Sequence, residues 1–463
     1  YLSRGRAQEI SGRHDDALSG YQELVDLGQE TARADVELAA LLPMVTIRST
    51  IGGRPDSAIA RALSERLLGL AQQLGDHPSE ARILWNNLLI EILAGEYQKA
   101  LEFGQRSLQI ASQYGLEEQT AFARQDMARA QVALERFADA RESLEGARAY
   151  CRSSGNNVML ADNLYNSTGV FYARGQFDKG TELTTEALEI SRKIGSELLE
   201  SIGLISIVHA NTECGDLGEA LAAVNKALGI LAETNDAGVV TAMVHATASA
   251  VYGLYGLADM ALNHTDLATT LADATYSDFF RTPMALAYVH NGRLQEAEVA
   301  LPPMYRRPWL QSKRNMEYMG ILTSLPDVVR GELVLAQQDF HQILEYGLGT
   351  ESLNGGTGAT VVLPDQLRAK GEASLALDRV EEAWEALSEA RDIAEQHGSR
   401  RALWRIYFEM SKAASLINRF DESRQLLEQS RESINYIADH SGEPKIRESF
   451  LNTPKVRSVL AAE

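Results

Sequence analysis

The chain has 463 residues, 45% of them hydrophobic, and carries 64 Asp and Glu against 44 Lys and Arg, a net charge of −20. That apolar content is too high for a disordered chain, and no run of 18 uncharged apolar residues is present to span a membrane. The acidic balance speaks against nucleic acid and anionic membrane as partners, since both reward basic surfaces, and is compatible with neutral or cationic ligands and basic protein segments.

In chain order, one pattern recurs: a glycine, a polar residue, an aromatic or Leu, any residue, an acidic residue or Lys, then alanine and an apolar residue. It reads GRHDDAL from Gly12, GEYQKAL from Gly95, GQFDKGT from Gly175, GDLGEAL from Gly215, GLADMAL from Gly256 and GRLQEAE from Gly292. Weaker copies start at Gly53, Glu135, Gly331, Asp378 and Asn418. The small-residue slots fall at Ala17, Ala58, Ala100, Ala140, Gly180, Ala220, Ala261, Ala297, Ala336, Ala383 and Ser423, in steps of 36 to 47 residues that centre on 40. The glycine closes one helix in the left-handed conformation, and the small residue lets the next helix approach it closely. A second small residue often follows seven positions on, as at Ala147, Ala187, Ala227, Ala268 and Ala390, two turns along the same helical face.

Between these turns lie apolar-periodic stretches of helical length, and no strand-like alternation appears. The pattern predicts an all-α fold, a right-handed α-solenoid superhelix of about eleven helical hairpins over residues 1–435. Residues 436–463 are expected to cap it. Within them 444–461 should form short helices over repeat eleven, with Thr453-Pro454 reading as an N-cap followed by Pro at the first helical position. The chain begins at Tyr1, without Met and by this register inside a helix, and so reads as the C-terminal piece of a longer protein.

Two segments break the period. Residues 302–313, PPMYRRPWLQSK, read as a bent connection with a buried Trp, the alternative being a ligand or partner contact. Residues 347–362 are glycine-rich, but the chain contains no Gly-Lys pair, so a phosphate cradle is disfavoured against a lengthened connection.

Chemistry is sparse. The nine histidines are scattered, with none at i+3 or i+4 from another, and HExxH is absent, so no metal site is expected. No nucleophile elbow and no dinucleotide fingerprint occur, so neither enzyme activity nor a cofactor is expected, and the isolated chain should not hydrolyse ATP. Two cysteines, Cys151 and Cys214, far apart and outside any CxxC, suit a reducing cytoplasm, and no signal peptide is visible.

The turn glycine and the paired small residues, with Gly5 and Gly371 matching the small residue of the first helix, resemble the tetratricopeptide repeat (TPR) family over nearly the whole chain. The family's Trp near the first helix start is mostly missing (Trp85 is one residue off), its closing Pro is missing, and the period is longer. Longer helices of this kind resemble the sensor domains of MalT-type signal-transduction ATPases with numerous domains (STAND). The segment Ile446–Leu460, IRESFLNTPKVRSVL, is similar to the closing segment of many such chains. The resemblance implies a ligand-sensing domain that binds a small-molecule or peptide inducer and controls an upstream nucleotide-binding module of the same polypeptide, with homo-oligomer formation on activation. The alternative is a peptide-binding or scaffolding repeat protein.

In a stacked array the first helices line the concave side. Counting back 18, 15, 11 and 8 residues from each small slot gives the groove-facing positions. Repeat three then presents Arg82, Trp85, Leu89 and Ile92. Repeat four presents Phe122, Gln125, Arg129 and Val132, repeat five Asp162, Tyr165, Gly169 and Tyr172, and repeat six Ile202, Ile205, His209 and Thr212. From these, Arg82, Trp85, Gln125, Arg129, Tyr165, Tyr172 and His209 are the expected ligand-binding residues. Aromatic surfaces beside a few hydrogen-bonding groups suit a sugar, a metabolite or a peptide. The same residues can instead satisfy one another between adjacent repeats.

Overall fold

The computed structural model describes residues 1–10, 13–49, 56–233, 238–271, 281–301, 320–345 and 359–463. The irregular segment 302–313, and 347–358 of the glycine-rich one, lie outside the described residues. Those residues that are described form twenty-four helices and no strand, arranged as eleven consecutive hairpins followed by two short helices. Contacts divide the chain into two compact units, Tyr1–Asn166 and Ser167–Glu463. The helix that carries the eleventh repeat runs on to Asp439, past residue 435.

The first unit holds α1 (Leu2–Ile10), α2 (His14–Glu30), α3 (Ala34–Ser49), α4 (Ser57–Leu74), α5 (His77–Leu93), α6 (Tyr97–Gln113), α7 (Glu117–Ala133) and α8 (Phe137–Ser154). It also holds the start of α9 (Asn157–Ala173), in which the division falls. Each helix packs on its successor, and the first helices of neighbouring hairpins touch, α3 on α5 and α5 on α7. The small slots are fully enclosed at Ala17, Ala100 and Ala140. Gly104, four residues beyond Ala100, leaves the space that Met127 of the next hairpin fills; a Cβ there would lie 2.5 Å from Met127 Cγ. Helix starts are set locally: Asp76 accepts from the Ser79 backbone N–H at 3.1 Å, with Pro78 in the first turn.

The structure corrects the register in two repeats. In the second, Asp56 caps α4 by accepting from Ile59 N–H at 3.0 Å, so the enclosed slot is Ala60, whereas Ala58 is exposed. In the ninth, Ala336 ends its helix exposed. Gln338 takes the left-handed turn position at φ 59°, and the slot falls at buried Ile343. Both errors have one cause: the search followed alanine, whereas the turn is fixed by cap chemistry at one site and by a non-glycine left-handed residue at the other.

The second unit contains the end of α9, then α10 (Phe177–Ile194), α11 (Glu197–Cys214), α12 (Leu217–Leu231), α13 (Gly238–Leu254), α14 (Ala258–Leu271), α15 (Thr282–His290) and α16 (Leu294–Ala300). It continues with α17 (Gly320–Ala336), α18 (Phe340–Glu345), α19 (Leu363–Ala376), α20 (Val380–His397), α21 (Arg400–Leu416) and α22 (Phe420–Asp439). The cap segment forms α23 (Pro444–Leu451) and α24 (Pro454–Ala461). Thr453 precedes α24, but its hydroxyl donates back to the Phe450 carbonyl at 2.8 Å instead of capping the new helix.

Within this unit the late hairpins fold back onto the early ones. The turn glycines of repeats five, six and seven each meet a late element. A Cβ on Gly175 would strike the His397 ring, one on Gly215 would meet Ile437 and Arg400, and one on Gly256 would meet Thr453. The Gly218 N–H donates to the His440 carbonyl at 2.7 Å, and the Thr360 N–H donates to the Ala173 carbonyl at 2.9 Å. The cap was expected over repeat eleven, and both its helices do pack on α22. It also shares one apolar core with repeats six and seven, where Leu217, Val251, Tyr255 and Leu257 join Ile434, Ile437, Ile446, Phe450, Val456 and Val459.

Candidate functional site

On the first unit, the first helices of hairpins three, four and five are linked by polar side chains. The Trp85 indole Nε1–H on α5 donates to Asp126 Oδ2 on α7 at 2.7 Å. The Trp85 ring lies 5.4 Å from that of Phe122, tilted by 38°. Arg129, one turn along α7, approaches Asp126 Oδ1 at 3.5 Å with its side chain 10% exposed. Gln125 Nε2 donates to Asp162 Oδ2 on α9 at 2.6 Å, and Asn166 Nδ2 donates to the same oxygen at 3.3 Å.

The electrostatics follow from this crowding. Burial pushes the Asp126 carboxyl above its ordinary range, against the pull of Arg129 and the Trp85 hydrogen bond. Asp162 rises to about 6: burial acts first and the neighbouring Asp126 charge adds to it, while Arg129, Gln125 and Asn166 pull the other way. Among the described residues, Gln125 Oε1 is buried with no hydrogen-bond partner, its residue only 4% exposed.

Of the residues selected from sequence, Trp85, Gln125 and Arg129 thus come together on one face, and Arg82 stands exposed on the same helix as Trp85, one turn earlier. Tyr165 is buried on α9 between Asp162 and Asn166. Tyr172, in the second unit, is 3% exposed and packs within its own hairpin: a Cβ on Gly180 would lie 2.3 Å from its ring, and its hydroxyl sits 3.2 Å from Thr181 Oγ1. His209, on α11, is 4% exposed, and burial pushes its pKa down to about 3, so its ring is neutral. In this conformation both rings are enclosed.

Sequence reasoning missed Asp126 and passed over Asp162. Asp126 adjoins Gln125 and so falls one position off the counted series. An open cleft of about 440 Å³ also lies between α6, α7 and α8, lined by Ser112, Arg124, Tyr150 and Ser153 among others, and none of the selected residues reaches it.

The equivalent helices of the second unit meet one another. Arg401 on α21 grips Asp365 on α19 through two bonds, 3.1 and 2.7 Å, and donates through Nε to Glu213 on α11 at 2.9 Å. Ser399 adds a bond to Glu213 at 2.6 Å. Glu332 on α17 accepts from Arg368 at 2.5 Å, Arg405 at 2.6 Å and Lys455 of α24 at 3.1 Å. Burial opposes ionisation of Glu332, but Arg405, Lys455 and Arg368 outweigh it and hold its pKa well below the ordinary range. Arg368 also pairs with Glu372. Three guanidiniums and the Lys455 ammonium face four carboxylates here, so cations and anions match in number, as a buried ion cluster requires.

The histidines are less scattered in space than in sequence. His245 and His264 approach at 2.9 Å between their Nδ1 atoms, across the seventh hairpin. No group of three or more His, Cys, Asp or Glu among the described residues is placed to hold a metal ion. Burial raises the thiol pKa of both Cys151 and Cys214. Among the described residues no helix is long and apolar enough to cross a membrane.

No protein-family model matches the chain, and no curated protein matches it. Among solved structures, it is similar to a Rap protein complexed with competence and sporulation factor. The two are 14% identical at a TM-score of 0.53, over 86% of this chain and 97% of that one. Yeast Tom70 matches at 13% identity over 97% of this chain and 100% of its own, but its TM-score of 0.35 carries no argument. At 14% identity the likeness to Rap concerns the fold. Together with eleven consecutive hairpins, it shows an all-α, TPR-like helical-repeat fold.

Proposed function

We propose that this chain is a binding domain that takes a peptide or an extended protein segment on the first-helix face of its first unit. The observation that carries the reading is the polar and aromatic relay from Trp85 through Asp126 and Arg129, with Gln125 and Asp162 beside it, laid across three successive hairpins. Stacking alone asks for apolar and small residues at such positions, and charged groups there need partners to be tolerated. The Rap structure, with the same type of fold, is a complex with a named factor, which supports recognition of a partner as the task of such an array. Arg82, Trp85, Gln125 and Arg129 are the proposed contact residues of this unit, with Tyr165 buried on α9 beside Asp162 and Asn166.

At the finer level, the 40-residue period and the closing segment favour the sensor domain of a STAND-type signalling ATPase, working in the cytoplasm. Occupancy by an inducer would there be passed to a nucleotide-binding module of the same polypeptide. No catalytic step is assigned to this chain. The runner-up is a scaffolding repeat protein with no inducer. The binding reading is tested by screening the full chain against a degenerate peptide library, with Trp85→Ala and Arg129→Ala alongside. Selective enrichment that both variants lose supports it; enrichment that both variants retain refutes the site.

A further inference from the structure

We propose that Gln125, Asp126 and Asp162 form a subsite for one cationic group of the bound peptide: the side chain of a Lys or Arg, or a free amino terminus. The inference rests on the peptide-binding reading above and adds the chemistry of the ligand.

A donor and acceptor inventory leads to it. The locus holds two carboxylates, and Arg129 is the cation that bears on both, at 3.5 Å from Asp126. Gln125 and Asn166 both donate to the same oxygen of Asp162, Oδ2. The second amide atom of the same side chain, Gln125 Oε1, is buried and has no hydrogen-bond partner among the described residues. A buried acceptor left without a donor costs about 1–3 kcal/mol, and a pair of close carboxylates with one shared guanidinium is short of one positive charge. An ammonium or guanidinium group supplies both missing elements, several N–H donors and a charge, whereas an anion or a neutral acceptor supplies neither. The rise of the Asp162 pKa to about 6, driven by burial and by the Asp126 charge, accords with that deficit: its carboxylate takes up a proton at mildly acidic pH. The net charge of −20 adds a long-range attraction for basic segments.

The test uses the full chain, immobilised, and two degenerate peptide libraries that differ only in a free or acetylated amino terminus. The expected result is enrichment of peptides with Lys or Arg at one fixed position in both libraries. If the amino terminus is the cation, enrichment is instead confined to the unacetylated library. For the best enriched peptide, Asp162→Asn and Asp126→Asn should each weaken binding by tenfold or more. On the unsubstituted chain, affinity for a Lys-containing peptide should rise about tenfold from pH 5 to pH 7.5, as Asp162 ionises through about 6. Enrichment of peptides that carry no cation, or a flat pH profile, overturns the subsite and leaves the peptide-binding reading standing. Absence of enrichment in both libraries removes that reading and the subsite with it.

Discussion

The two units handle the same problem in opposite ways. Both present first helices that carry charged side chains. In the first unit Asp126 and Asp162 bear on one guanidinium, that of Arg129, and stand beside Trp85 and an amide oxygen that has no partner among the described residues. In the second unit the corresponding surface is consumed internally: Arg401, Arg405, Arg368 and Lys455 neutralise Glu213, Asp365 and Glu332 across helices from repeats six to eleven and the cap. The same repeat positions can therefore carry either a polar face with its acids only partly neutralised or one whose charges are matched within the protein. What separates them is the ratio of guanidinium to carboxylate, not the repeat signature.

Four experiments bear on that contrast, from the largest effect to the smallest. Removing residues 444–463 strips Ile446, Phe450, Val456 and Val459 from the core they share with repeats six and seven. At about 1.5–3 kcal/mol for each buried apolar side chain, the loss should exceed about 5 kcal/mol, read as insolubility or a collapsed urea midpoint. A truncated chain with unchanged melting would show that the second unit does not depend on its cap. Next, Glu332→Gln leaves Arg368 and Arg405 buried without the counter-charge they share with the half-exposed Lys455, and should cost about 3–5 kcal/mol by urea denaturation.

A matched pair of substitutions isolates the fold-back. Gly155 and Gly175 both sit at positive φ, 70° and 66°, but a Cβ on Gly155 meets open space, whereas one on Gly175 strikes His397. Gly155→Ala should cost about 1 kcal/mol from backbone strain alone. Gly175→Ala should cost clearly more, and equal losses would mean that the His397 contact contributes nothing. Finally, Asp162→Asn should stabilise the ligand-free chain by about 1–2 kcal/mol at pH 7.5 and have almost no effect at pH 4. The sign follows from the pKa, raised from 3.8 to about 6 on folding: the unfavourable charge is absent at low pH and builds as the pH climbs through that window. Melting temperatures at the two pH values measure it.

Much of this was legible in the sequence. The turn glycines and small slots located nine of the eleven hairpins in register, because both residues answer to local backbone geometry. The two misplaced slots, Ala58 and Ala336, lay where Asp56 and Gln338 set the turn by other means. The helices within 444–461 were readable from Pro444, Pro454 and the apolar spacing. Their docking on repeat six was not, since nothing local in Gly218 marks it as the partner of His440. In the proposed site, counting back along helices selected Trp85, Gln125 and Arg129, but did not show that Asp126 bonds to Trp85 and Asp162 to Gln125. Tyr172 satisfied the same count and yet turned inward, drawn into the space that Gly180 leaves open.

The ties between Glu213 and Arg401 and between Asp216 and Tyr436 join residues 188 and 220 positions apart. A stack whose members touch only their neighbours folds and frays one member at a time, like a zipper. Joining ends about 200 residues apart from an unfolded chain costs about 5 kcal/mol in loop entropy, so these bonds are favoured only after the intervening hairpins have shortened the path. Once they close, opening any intervening hairpin strains them, and the second unit melts as one body. The first unit has no such clasp among its described residues, and its outermost hairpin can open alone. Hydrogen exchange on the intact chain should therefore show graded protection through residues 1–166 and a single shared opening energy from α11 to α22.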